Sequence, residues 1–251
     1  MVAFDLPGQP GPAECMAWDE AILDAVEHGE CGPALWFWES PIPCVVVGYG
    51  QTPVREVHLD ACEADHVPVL RRCSGGGTVV HGPGCLSYGV ALPIDIHPDL
   101  ETIHGTNGFV MSRNRAALQS LVEGPVEVRG HTDLVWNQRK VSGNAQRRKR
   151  HALLFHGTFL HALDLSLVPR WLPQPTSQPD YRDHRPHSEF IANLPCPPAS
   201  IRRAIRLHWL ASDGTPPTTA ATRARQLLAE RYSNPSWLNG RGSAPRPGTL
   251  S

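Results

Sequence analysis

Three consecutive glycines, Gly75-Gly76-Gly77, stand between two runs of strand character, and they restrict what this chain can fold into more than any other local feature. Glycine loses more backbone freedom on folding than any other residue. A fold therefore tolerates three in a row mainly where the chain turns tightly or approaches another group closely. The flanks are Arg71-Arg72-Cys73-Ser74 before and Thr78-Val79-Val80-His81 after. Two guanidinium groups and a row of unencumbered N–H groups could converge there on phosphate or carboxylate oxygens. A glycine-rich hairpin with solvated arginines fits the same residues, and the run is neither a P-loop nor GxGxxG.

Cys15, Trp18, Ile22, Ala25 and Val26 recur at helical spacing and predict a helix over 13–28 with one apolar face. Short β-branched or aromatic runs predict strands at 34–38, 44–48, 67–72, 78–80 and 86–92, with a helix at 107–122. Further strands are expected at 126–128, 134–136, 139–141 and 152–163, the last bent at Gly157. Ile201, Ile205 and Trp209, then Ala224, Leu227 and Leu228, predict two C-terminal helices. This mixed order favours α+β over a regular βαβ series. No repeat or long linker interrupts it, so one unit over 1–237 is expected, with a flexible tail at 238–251 rich in Gly, Pro and Ser.

Composition narrows the function. Of 251 residues, 41% are hydrophobic and 19% charged, enough to bury a substantial core, and the net charge of -1 gives no global basic field for nucleic acid or a membrane surface. Seven scattered cysteines form no CxxC pair, no run of about 18 apolar residues exists, and the first fifteen residues lack a basic-then-apolar pattern. A cytoplasmic protein is expected, with no membrane contact. His184-Arg185-Pro186-His187 lacks a third ligand at metal-site spacing.

Only Lys140 and Lys149 are lysines among 23 basic residues. Lys149 sits in the basic run Arg147-Arg148-Lys149-Arg150, where composition alone explains it. Lys140 stands at a strand end before the small-residue turn Val141-Ser142-Gly143-Asn144-Ala145, where an ammonium can act as a compact point charge beside a phosphate or developing oxyanion. A surface lysine is the plain alternative. His156-Gly157-Thr158 puts a glycine between two polar side chains within a strand, again a mark of close backbone approach.

Taken together, these motifs resemble the lipoate-protein ligase A family of the biotin and lipoate ligase superfamily. Its RRxSGGGxVxH pattern is similar to Arg71–His81, its GxxD-LV and KVSGxAxR to Gly130–Arg147, and its HGT to His156–Thr158. Asp19-Glu20, Val45–Gln51, Arg182–Phe190 and Asn193–Pro195 extend the resemblance across about residues 14–235. The biotin ligase motif GRGRxG is absent. The resemblance implies mixed, largely antiparallel sheets flanked by helices, as in class II synthetases and biotin ligases. It implies activation of lipoate or octanoate by ATP and Mg2+ to an acyl adenylate, then transfer to a lysine of a lipoyl carrier. That carrier would be a 2-oxoacid dehydrogenase acyltransferase subunit or a glycine-cleavage H-like protein.

By the same resemblance, Arg71 and Arg72 would meet the carboxyl or adenylate phosphate. Ser74, Gly75, Gly76, Gly77 and Thr78 would cradle the acyl head, and Lys140 would bridge phosphate and acyl carbonyl. Val141, Ser142, Gly143, Ala145, His81, His156, Gly157 and Thr158 would line the site. Asp133 would serve catalysis or hold magnesium, with Lys140 and the acceptor lysine as other partners. Val79, Leu86 and Tyr88 are candidate walls for the acyl chain.

One departure is notable. After His81 the chain runs Gly82-Pro83-Gly84-Cys85, similar to the HGPGQ run of ATP-independent octanoyl transferases. Those enzymes pass the acyl group through a cysteine, but neither of their nucleophile positions holds one here. Cys85 is the remaining candidate, and an ATP-independent transferase is the alternative function. A non-catalytic protein that binds acyl adenylate or carrier is a second. The chain ends soon after the resemblance does, without the small accessory domain of some larger ligases, so either a separate accessory subunit exists or the enzyme works without one, and Arg147–Arg150 could steer an acidic carrier.

Overall fold

Residues 1–175 and 177–239 are described by the computed structural model. They form, in chain order, β1 (Val2–Asp5), α1 (Pro12–Glu27), β2 (Ala34–Glu39), β3 (Cys44–Val47), α2 (Pro53–Glu56), α3 (Leu59–Ala64), β4 (Val69–Arg71), β5 (Val79–His81) and β6 (Cys85–Pro93). There follow α4 (Ile103–Gln119), β7 (Val126–Arg129), β8 (Asp133–Trp136), β9 (Arg139–Ser142), β10 (Asn144–Arg148), β11 (Ala152–Leu160), α5 (Leu167–Trp171) and α6 (His187–Phe190). The described residues close with α7 (Pro198–His208), β12 (Ser212–Asp213), α8 (Thr218–Leu227) and α9 (Pro235–Asn239).

The fold is the expected α+β. A six-stranded sheet runs β10-β11-β6-β2-β1-β12, and two three-stranded sheets run β4-β3-β5 and β7-β8-β9. Six of the nine strand pairs are antiparallel; β1 with β2, β1 with β12, and β3 with β4 are parallel. β2 and β6 are apolar at nearly every position because the large sheet is covered on both faces. Alternation sends Ala34, Trp36, Trp38 and Leu154 toward α1 and α8, and Leu35, Phe37, Tyr88 and Phe155 toward α4 and α7. A third core gathers Val45, Val47, Cys85, Trp171 and Phe190 beside the site.

Several expectations change. α1 is packed on every side rather than along one stripe, and it buries Asp19, Glu20 and Asp24 with its apolar residues. Each acid has partners: Glu20 meets Arg231 and Tyr232, Asp24 meets Lys149 and Arg223, and Asp19 enters the site. Lys149 is thus held by an ion pair rather than present by composition alone. β11 is not interrupted at Gly157; it pairs with β6 in unbroken register from Ala152 to Leu160. The stretch after Lys140 is no mere turn, since Asn144–Arg148 forms β10 against β11. Asn-Ala-Gln-Arg-Arg carries none of the β-branched or aromatic residues that mark strands in sequence. Leu238 and Asn239, assigned to the tail, end α9, while 240–251 lie outside the described residues. No helix among the described residues is long and apolar enough to cross a membrane.

Candidate functional site

The register of the large sheet explains how the site is built. His156 of β11 stands opposite Gly89 of β6, which stands opposite Trp36 of β2. Because Gly89 has no side chain, the Trp36 indole lies across it; an added Cβ would be 2.2 Å from that ring. Trp36 Nε1 then donates to Asp19 Oδ1 at 2.7 Å, and Trp38 Nε1 donates to the same oxygen at 3.3 Å. The other oxygen, Oδ2, lies 2.7 Å from Nδ1 of His156, whose Nε2 is 2.5 Å from Ser74 Oγ. Two residue pairs further along, Trp38 stacks on His81, which is 3.1 Å from the Ser87 hydroxyl.

The glycine loop wraps a cation. Arg72 Nε donates to Ser74 Oγ at 3.0 Å, and Nη2 donates to the carbonyls of Gly75 at 2.6 Å and Gly77 at 2.8 Å. No carboxylate among the described residues pairs with this guanidinium, and burial lowers it to about 10. Gly76 has a φ of +89°, and its carbonyl sits so close to Gly48 that a Cβ there would meet it at 2.0 Å. Glycine is therefore required at both positions.

Across from the loop, Lys140 Nζ pairs with Asp133 Oδ1 at 2.8 Å, and Tyr181 donates its hydroxyl to Oδ2 at 2.7 Å. Burial, followed by the Asp133 charge, pushes the Tyr181 phenol up. Asn144 receives the Tyr88 hydroxyl at 2.6 Å and gives its amide to the Thr132 carbonyl at 2.6 Å. Gly157 packs under it, as the sequence pattern suggests; a Cβ there would lie 1.9 Å from the Asn144 side-chain oxygen.

Between these walls lies a cavity of about 290 Å³. Arg72, Gly76, Gly77, Thr78, His81, Asp133, Lys140, Gly143, Ala145, His156, Gly157 and Thr158 all line it. Arg72, His81, Asp133, Lys140 and His156 supply its polar lining, while Met16, Trp38, Val46, Val79, Leu172 and Phe190 supply apolar wall. Thr78 Oγ1 is buried without a hydrogen-bond partner among the described residues, an orphan on the cavity wall.

Other expected residues lie elsewhere. Arg71 faces away from the cavity and donates to the carbonyls of Gly48, Tyr49, Gln51, Trp237 and Leu238. Ser74 and Gly75 shape the loop from behind, Val141 is core, and Ser142 accepts from Asn144. Cys85 is fully buried in the third core and burial pushes its thiol up, so it is no thiolate at the site. None of the seven cysteines lines the cavity. Val79 and Tyr88 do line it, but Leu86 packs into the core. The basic run is largely occupied: Arg148 donates to Thr106 and to the carbonyls of Leu100 and Glu101, and Lys149 pairs with Asp24. Among the residues that sequence reading missed as site members are Asp19, Asn144, Tyr181 and Arg182. Asp19 shares the helical spacing of Cys15, Ile22 and Val26, and an acid on an apolar face is a usable signal.

His81 makes the fold sensitive to acid. Burial, and then the Arg72 charge, lowers it from 6.5 to about 3. Between those values the unfolded chain takes up a proton that the folded chain refuses. Stability is therefore held above pH 6.5 and lost as the pH falls, by up to about 1.4 kcal/mol per unit from this residue. Urea unfolding of His81→Gln between pH 4 and 6.5 should show a shallower pH slope than wild type; equal slopes would remove His81 from this account.

The family model described as "Lipoyl protein ligase A/B catalytic domain" matches residues 11–195. The "Lipoate-protein ligase A subunit 1" of Thermoplasma acidophilum is 27% identical over 242 residues, 90% of this chain and 91% of that protein. The "Octanoyltransferase LipM" of Symbiobacterium thermophilum is 31% identical over 207 residues, 71% of this chain and 72% of that protein. Against several other curated relatives the chain spans about half of their length. For the "Probable lipoate-protein ligase A" of Mycoplasma pneumoniae, 30% identical over 156 residues, the shares are 62% of this chain and 44% of that protein. Among solved structures, a lipoate-protein ligase A bound with ATP superposes with a TM-score of 0.83 at 22% identity, covering 96% of this chain and all of that one.

Proposed function

The chain belongs to the lipoyl protein ligase A/B catalytic-domain family, and on that footing we propose that it is an ATP-dependent ligase joining lipoate or octanoate to a lysine of a lipoyl carrier domain. The observation that carries this reading over thioester transfer is the cavity wall: it presents Lys140 and an orphan hydroxyl, and no cysteine. A carboxylate is a poor electrophile at neutral pH. Attack of its oxygen on the α-phosphorus of ATP expels pyrophosphate and leaves a mixed anhydride with AMP as leaving group. The carrier amine then attacks the acyl carbonyl, and AMP departs as that C–O bond breaks.

Each wall has a part in those steps. The apolar side accepts the acyl chain, and the loop from Gly76 to Thr78 receives the carboxyl end, where Thr78 gains the partner it lacks. Lys140 stabilises negative charge on the phosphate and on the carbonyl oxygen, steered by Asp133. Asp133 stands ready to accept a proton from the incoming amine. A magnesium ion would travel with the nucleotide phosphates, and Asp133 offers it a single carboxylate contact. No cluster of three His, Cys, Asp or Glu side chains exists among the described residues, which fits an ion held chiefly by phosphate oxygens and water. We assign catalysis to residues 1–237, extended by Leu238 through its bond to Arg71. An enzyme working on ATP and a dehydrogenase-type carrier would act in the cytoplasm.

The likeness to octanoyl transferases and the Gly82-Pro83-Gly84-Cys85 run favour the ATP-independent alternative. Intact-mass measurement of a lipoyl domain decides between them. A mass shift with free lipoate or octanoate only when Mg-ATP is present is the expected result. A shift only from octanoyl-carrier protein without ATP would overturn adenylation, and no shift from any donor would favour a binding protein.

A further inference from the structure

Asp19, His156, Ser74 and Arg72 form an unbroken hydrogen-bonded chain from α1 through β11 to the glycine loop. We infer that Asp19 is a positioning residue for acyl transfer, acting through His156 and Ser74 to orient Arg72 and so the loop that bounds the cavity. The inference rests on the proposed ligase activity.

Proton accounting gives the chain a direction. Asp19 is 2% exposed, and its carboxylate accepts from Trp36, Trp38 and His156. A carboxylate only accepts, so the proton facing it belongs to Nδ1 of His156. The imidazole then presents its Nε2 lone pair to Ser74. Oγ of Ser74 has two partners, Nε2 of His156 and Nε of Arg72, and arginine only donates. With the imidazole neutral and its hydrogen on Nδ1, Oγ receives Arg72 and gives its own hydrogen to Nε2, the arrangement that leaves no hydrogen of the series without an acceptor. Every donor in the series faces toward Asp19, and no hydrogen meets another.

The arrangement has the shape of an Asp-His-Ser triad, yet burial assigns it a different task. Ser74 has 0% exposure and does not border the cavity, and the Arg72 guanidinium covers its oxygen. An acyl carbonyl cannot reach it. What the serine passes on is orientation. With Nε fixed by Ser74, Nη2 of Arg72 draws in the carbonyls of Gly75 and Gly77. That holds the loop in the form that sets Gly76, Gly77 and Thr78 on the cavity wall. Reversing the link at Asp19 turns the imidazole to its other tautomer, so that Oγ of Ser74 accepts from both Nε2–H and Arg72, its own hydrogen is turned away from the series without an acceptor, and the hold on the loop is weakened.

Two readouts test this on the full chain. In 15N-histidine spectra of the wild type, His156 should be the Nδ1–H tautomer, and Asp19→Asn should convert it to Nε2–H. With lipoate, Mg-ATP and a lipoyl domain, Asp19→Asn and Ser74→Ala should each lower kcat roughly ten- to a hundredfold with KM for the carrier unchanged. The double variant should be no worse than either single one. Both single variants should shift the amide resonances of Gly75–Gly77 alike. A wild-type Nε2–H tautomer, additive losses, a fully active Asp19→Asn enzyme or an acyl adduct on Ser74 would each overturn the inference. Should the wild type transfer no acyl group, the ligase reading fails alone. Loop resonances unmoved in both variants would then overturn the relay too, and matched shifts would uphold its action on the loop.

Discussion

Replacing Lys140 with alanine is expected to lower acyl transfer by roughly 10²–10³-fold, the range typical of deleting one preorganised donor at a developing oxyanion. The fold should survive, because the ammonium is a quarter exposed and packs no core cluster. Lys140→Arg should restore little. The lysine side chain lies so close over Gly143 that a Cβ on that residue would be 2.8 Å from its Cε, and the wider planar guanidinium does not fit the same gap. Single-turnover kinetics from preformed acyl adenylate isolate the transfer step. A variant within threefold of wild type there would show that the ammonium takes no part in it.

The largest effect on stability is expected from Trp36→Ala. The indole is fully buried, stacks on Phe4 with 6.5 Å between ring centroids, and fills the space over Gly89. Deleting a buried aromatic ring of this kind costs about 3–5 kcal/mol, and Asp19 loses the 2.7 Å N–H donor to its Oδ1 besides. At this chain length that corresponds to about 6–20 °C in melting temperature. Trp36→Phe should recover much of the packing but not the hydrogen bond to Asp19. Urea denaturation at pH 7 measures both, and a loss below about 1 kcal/mol for the alanine variant would contradict the packing described here.

How far the sequence discloses the site depends on which kind of signal a residue carries. The glycine loop was legible because three glycines have few other uses, and Lys140 because lysine is scarce in this chain. Adjacent residues proved harder. Arg71 ends β4 and Arg72 follows it, so strand alternation sends the two guanidinium groups to opposite sides, and only one can meet the cavity. Cys85 was misjudged for the same reason, since its place at the start of β6 faces the third core. β10 escaped detection because the register with β11, not residue propensity, makes it a strand. Tyr181 and Arg182 lie in a proline-dense stretch without periodicity, and nothing local shows that the fold brings them to Asp133 and the cavity.

The clamp made by Arg71 ties residues far apart along the chain. Its guanidinium holds the turn after β3 and the carbonyl of Trp237, 166 positions downstream. Polypeptides are made at about 5–20 residues per second, so the glycine loop leaves the ribosome roughly ten to thirty seconds before the segment that secures its back. For that interval an arginine with five carbonyl partners in the finished protein waits without two of them. The back of the glycine loop is therefore completed only after residue 238 has been made, and a nascent chain stalled between Phe190 and Trp237 would carry every cavity-lining residue with only three of those five carbonyls in place.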